Sequence, residues 1–147
     1  MKAIVVGYDG SEPSKRALER AADFAEAFGA KLTVITVTEP LPGAGDPLVP
    51  GDSMGIGVPS APVLPDTAEA DRDLKEARTS LSKRGVDAEY ISTVAGATDA
   101  ILDAAEERDA DLVVVGSRHP GFIDRLLSGD VSAAVSRRSR RDVLIVH

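Results

Sequence analysis

The stretch Leu112–Ser132, LVVVGSRHPGFIDRLLSGDVS, decides the fold, because it runs from an uninterrupted apolar strand through a glycine loop to a second glycine and a helix start. Leu112 to Val115 is apolar at every position, as in a strand at the middle of a parallel sheet covered on both faces. Gly116 ends it, permitting backbone angles and close approaches that a side chain forbids. Gly129 precedes Asp130, Val131 and Ser132, where a helix with Val131, Ala134 and Val135 on one face begins. The free N–H groups and dipole at such a helix start favour an anion. The same pattern also serves as a plain turn after a buried strand.

Working toward the N-terminus, Gly96-Ala97-Thr98 turns into a helix carrying Ile101, Leu102, Ala104 and Ala105. Val86 to Ser92 alternates, as a strand near a sheet edge does. Before it, a helix starting at Asp66 or Thr67 places Ala70, Leu74, Ala77 and Leu81 on one face and stops at Gly85. Lys2 to Gly7 and Lys31 to Val37 (KLTVITV) read as buried strands. Between them lies a helix with Ser11 as N-cap, Pro13 in its first turn, Ala17, Ala21, Phe24, Ala25 and Phe28 at helical spacing, and Gly29 just past its end. Asp142 to Val146 is a fifth strand.

This order predicts an α/β fold in a single domain over residues 1–147: an open five-stranded parallel sheet, order 3-2-1-4-5, with helices on both faces, Rossmann-like. Ligands of such sheets sit beyond the strands' C-terminal ends at the switch point. Here that is between the loop at Tyr8 to Ser11 and the loop at Gly116 to Gly121. Residues from Thr38 to about Pro65 are rich in Pro and Gly without periodicity, and read as a flexible insertion or a lid over a ligand.

Composition sets further bounds. The 147 residues are 43% hydrophobic and 28% charged, an ordinary globular balance, with a net charge of -7. That charge disfavours nucleic acid and anionic membranes as partners. Arg137, Arg138, Arg140 and Arg141 form a local exception, placed to complement the negative end of the last helix. There is no Cys, which excludes disulfides and thiolate chemistry. No apolar run approaches the roughly 20 residues of a membrane span, and no secretory leader is visible, so a cytoplasmic location is expected.

An enzyme needs a nucleophile with its base, or a metal cluster. The two His are His119 and His147, and no G-x-S-x-G, Walker lysine motif or H-E-x-x-H occurs. Ser117 reads as a loop residue bonding to backbone. Asp9 could resemble the phospho-acceptor of receiver domains, but the paired acids after the first strand that hold Mg²⁺ there are missing.

Taken together, Ile4-Val5-Val6-Gly7-Tyr8-Asp9-Gly10-Ser11, the strand ending at Val37, the Gly96 turn, Asp111 through Arg118 and Asp142 through Val146 resemble the universal stress protein family, over nearly the whole chain. The resemblance implies homodimers, here through the Asp142–Val146 edge, and in one branch ATP or AMP in the crevice, with Mg²⁺ only alongside nucleotide. In that branch the phosphate loop resembles G-x2-G-x9-G-[ST], and the base is held by an Asp after the first strand and a Val after the second. Asp9 and Val37 match the base pocket, and Gly116 and Gly129 match the first and third glycines. Tyr8, Val115, Arg118, Val131 and Ser132 flank these positions and complete the candidate site.

Two positions depart from the motif. His119 replaces the second Gly, obstructing close backbone approach while offering positive charge. Asp130 replaces the hydroxyl residue. There a carboxylate caps the helix itself and repels phosphate: two like charges about 4 Å apart cost roughly 4 kcal/mol at an effective dielectric of about 20. Two functions follow: a non-catalytic stress-response protein with a degenerate adenine-nucleotide crevice, or a nucleotide-responsive ATP/AMP-binding module.

Overall fold

A computed structural model describes residues 1–40, 66–117 and 131–147. The strands are β1 (Ala3–Gly7), β2 (Lys31–Thr38), β3 (Ala88–Val94), β4 (Leu112–Gly116) and β5 (Asp142–Val146). They alternate with helices α1 (Glu12–Phe28), α2 (Ala68–Arg84), α3 (Ala97–Glu107) and α4 (Val131–Arg138). The sheet is parallel throughout, in the order β3-β2-β1-β4-β5, as expected.

Side-chain alternation divides the core in two. Ile4, Val6, Tyr8, Leu32, Val34, Leu112 and Val114 face α1 and α2, packing on Ala17, Leu18, Ala21, Ala22, Ala77 and Leu81. Val5, Ile35, Val113 and Val115 face α3 and α4, packing on Ala100, Ile101, Ala104, Ala105 and Val135. Both faces of β1 and β4 are therefore covered, which is why these strands read as unbroken apolar runs. The four buried alanines of α1, Ala17, Ala21, Ala22 and Ala25, let its axis lie close to the sheet.

Punctuation residues act largely as their types predict. Ser11 caps α1 by accepting from Ser14 N at 3.4 Å, and Gly29, at φ 62°, closes it through its N–H to Ala25 O. At α2 the carboxylate of Asp66 accepts from Ala68 N at 2.9 Å, whereas Thr67 makes no side-chain cap. One boundary differs from the sequence reading. Val86 donates to Leu81 O at 3.1 Å, so it closes α2 and β3 starts only at Ala88. β3 then runs on to Val94, paired with Thr38. The start of β1 is pinned to β4 by Asp111, whose Oδ2 accepts from Lys2 N and Ala3 N.

Arg137 and Arg138 fall in the last turn of α4, as expected for charges complementing its dipole. Arg138 and Arg141 also pair with acids of the neighbouring α3 region, Asp99 at 2.6 Å and Asp109 at 2.9 Å. The Pro- and Gly-rich expectation for 41–65 lies outside the described residues. Among the described residues no helix is long and apolar enough to cross a membrane.

Candidate functional site

β1 and β2 pair with Gly7 opposite Ile35, and Tyr8 N continues the ladder to Ile35 O at 2.9 Å. Asp9 and Val37 each lie two residues beyond that pair, Asp9 in the loop after β1 and Val37 near the carboxyl end of β2, where it pairs with Thr93. Val37 packs with the α3/α4 core, as do Val115 on β4 and Val131 at the start of α4. Ser132, in the first turn of α4, is buried. The reversal of strand order between β1 and β4 thus gathers Val37, Val115 and Val131 on the α3/α4 side of the sheet, with Ser132 buried in the next position of α4.

Tyr8 is placed differently. Its side chain is buried among the residues facing α1 and α2, on the opposite side of the sheet from Val37 and Val115. Burial comes first, and the negative charges of Glu76, Asp73, Asp9 and Glu12 come next, in pushing its hydroxyl well above the usual tyrosine range. Tyr8 therefore stays neutral and acts as a core residue under the loop.

The loop from Asp9 to Ser14 is a closed hydrogen-bond network. Asp9 Oδ1 accepts from Ser11 N at 3.0 Å and from Ser11 Oγ at 2.5 Å. Ser14 Oγ donates to Ser11 O at 2.9 Å and accepts from Asp9 N at 3.3 Å. An Asp two residues before a Ser forms an Asx turn, so the network that orients Asp9 is written in Asp9-Gly10-Ser11. Gly10 takes the left-handed conformation, φ 72°.

Gly116 has a packing reason beyond the one read from sequence. A methyl group built on it would lie 2.5 Å from the Pro13 carbonyl carbon and 2.6 Å from both Pro13 O and Ser14 N. The first turn of α1 crosses directly over the end of β4, and only glycine leaves room for it. Ser117 follows, buried, donating its N–H to Val146 O at 2.8 Å, in keeping with a backbone-bonding loop role. Arg118, His119, Gly129 and Asp130 lie outside the described residues. No group of three or more His, Cys, Asp or Glu that could hold a metal occurs among the described residues.

The fold is that of a doubly wound α/β protein with its switch point between β1 and β4, the place where ligands of such sheets bind. The family model described as the universal stress protein family matches residues 1–147, and the chain belongs to that family. It is 37% identical to universal stress protein Rv1636 of Mycobacterium tuberculosis, over 99% of this chain and 96% of that protein. Among solved structures, a universal stress protein in complex with cAMP is 36% identical with a TM-score of 0.75, covering 99% of this chain and 97% of the other. A universal stress protein from Archaeoglobus fulgidus, 24% identical with a TM-score of 0.69 and covering 100% and 99%, shares the fold.

Proposed function

We propose that this chain is a non-catalytic adenine-nucleotide-binding module, and that a nucleotide of low charge, with cAMP as the probe of choice, suits its crevice better than ATP. The observation that carries this reading is the 36% identity, over 99% of the chain, to a universal stress protein in complex with cAMP. The chemistry of the loop supports it. Asp9 and Val37 are placed to hold the base, and Arg118 and His119 supply positive charge for a phosphate. Val115, Gly116, Val131 and Ser132 surround them, and Gly129 matches the third glycine of the family's phosphate motif. Asp130 puts a negative charge at the motif position where the family has a hydroxyl residue, an objection that grows with ligand charge and is smallest for a cyclic monophosphate. Mg²⁺ would accompany only a polyphosphate nucleotide.

Calorimetric titration of cAMP, AMP and ATP tests this. The wild-type chain should bind cAMP more tightly than metal-free ATP, and Asp9→Ala should weaken cAMP about tenfold or more through loss of a charged hydrogen-bond acceptor. Tighter ATP than cAMP, or an Asp9→Ala variant that binds like wild type, would overturn the reading. A nucleotide-independent interaction protein is the second reading, favoured by Asp130, which can cap α4 without any ligand. Adenine nucleotide absent from gently purified protein, together with no titratable heat, would support it.

The module works as a homodimer in this proposal. Among the described residues β5 pairs on one side, with β4, and its Val143-Leu144-Ile145-Val146 run is half-buried at the edge of the sheet. Pairing two such edges removes an aggregation liability. Light scattering should report a dimer at micromolar concentration in both low and moderate salt, and monomer alone would disprove the pairing.

A further inference from the structure

The loop that carries Asp9 is held from the α1/α2 side of the sheet as well. α2 packs on the α1/α2 face through Leu74, Ala77 and Leu81. On the same inward stripe, between Ala70 and Ala77, stands Asp73, an acid at a position where the helix otherwise turns small apolar residues to the core. Its carboxylate occupies the space that Gly10 leaves: a methyl group on Gly10 would lie 2.6 Å from Asp73 Oδ1. The loop network holds Asp9 to Ser11 with Gly10 between them, so Asp73 braces the middle residue of the Asx turn.

We infer that Asp73 is a positioning residue of the nucleotide crevice: from the far side of the sheet it seats Gly10, sets the Asp9-Gly10-Ser11 turn, and so couples α2 to whatever Asp9 holds. The inference rests on the nucleotide reading for its ligand but not for its geometry. Charge gives the coupling a sign. Burial first, then the negative charges of Glu69, Asp9 and Glu76, raise the Asp73 carboxyl above the usual carboxylate range, with Arg72 opposing. From α1, Glu12 and Lys15 also bring charge to this end among the described residues, Lys15 being paired with Glu76 at 2.8 Å. Because the folded chain holds the Asp73 proton more tightly than an unfolded chain does, its contribution to stability is fully present below the unfolded value and is lost as pH rises through the folded one. Protonating Asp73 also takes a negative charge away from Asp9 and from any anionic ligand, so it should tighten nucleotide binding.

The test uses the full chain in wild-type, Asp73→Asn and Asp73→Ala forms, read by amide hydrogen exchange, by the pH profile of the Gly10 and Ser11 amide shifts, and by cAMP titration. Asp73→Ala, which empties the seat, should speed exchange at Ser11 N and weaken cAMP about tenfold, within the usual range of coupling between sites. Asp73→Asn keeps the shape but removes the charge, so it should preserve slow exchange and bind cAMP more tightly than wild type at neutral pH, as the protonated acid does. It should also remove from the Gly10 and Ser11 amide shifts the acid step that Asp73 contributes, leaving the step that comes from Asp9 itself, a change that a merely structural role would not produce. Should wild type fail to bind cAMP, the nucleotide reading falls while exchange and amide titration still decide the seat. Unchanged exchange at Ser11 in Asp73→Ala, or an acid titration of these amides that is identical in wild type and Asp73→Asn, would overturn the inference.

Discussion

Gly116→Ala should destabilise the protein by at least about 3 kcal/mol, the upper part of the range for overpacking a rigid site, and lower its melting temperature by about 10 °C. The added methyl would meet backbone, the Pro13 carbonyl and Ser14 N, at 2.5–2.6 Å. Backbone in the first turn of a capped helix cannot step aside as a side chain can, so α1 must lift from β4 or the end of β4 must bend. Gly7→Ala is the matched control, because its methyl would meet the terminal Cδ1 of Ile101 at 3.0 Å, which can move at a cost of about 1 kcal/mol. Thermal unfolding of both variants checks the contrast. A Gly116→Ala protein that melts within about 2 °C of wild type would show that α1 is less tightly seated than the geometry indicates.

The second large effect is expected at Asp130. If this residue sets the charge limit of the crevice, Asp130→Ser should bind metal-free ATP at least about tenfold more tightly than wild type, a conservative fraction of the roughly 4 kcal/mol that a like-charge contact can cost. The gain should be smaller for cAMP, which brings a single negative charge, and His119→Gly should add to it by relieving crowding. Capping makes an independent demand. Asp130→Ala should lose about 0.5 to 2 kcal/mol of stability, whereas Asp130→Ser, which still caps, should lose much less. Titration with and without Mg²⁺ reads the affinities, and thermal unfolding reads the cap. Micromolar ATP binding by wild type without metal, unimproved in Asp130→Ser, would show that the loop accommodates polyphosphate despite its carboxylate.

Nearly all of the architecture was legible in the chain because its signals are local. The unbroken apolar runs of β1 and β4, the Ser11 cap with Pro13, and the glycines closing α1 and α2 each act through the backbone within a turn or two. Their alternation then permits one economical arrangement, the right-handed doubly wound sheet. Where the reading slipped, at the start of β3, the deciding contact was the hydrogen bond from Val86 to Leu81, which an alternating pattern does not reveal.

The site was legible only as far as a motif carries it. Asp9 and Val37 could be named from the sequence, and each lies two residues beyond the paired Gly7 and Ile35. Strand alternation alone also implied that Tyr8 and Asp9 point to opposite faces, but which face holds α1 and α2 depends on how the crossovers wind. Tertiary structure therefore decided that Tyr8 belongs to the core. It likewise decided that Gly116 is demanded by α1 passing over β4, and that Asp73, distant in sequence, sits in the space left by Gly10. These are contacts between elements with no fixed spacing along the chain, so no local pattern encodes them. They exist only once the helices have been laid on the sheet.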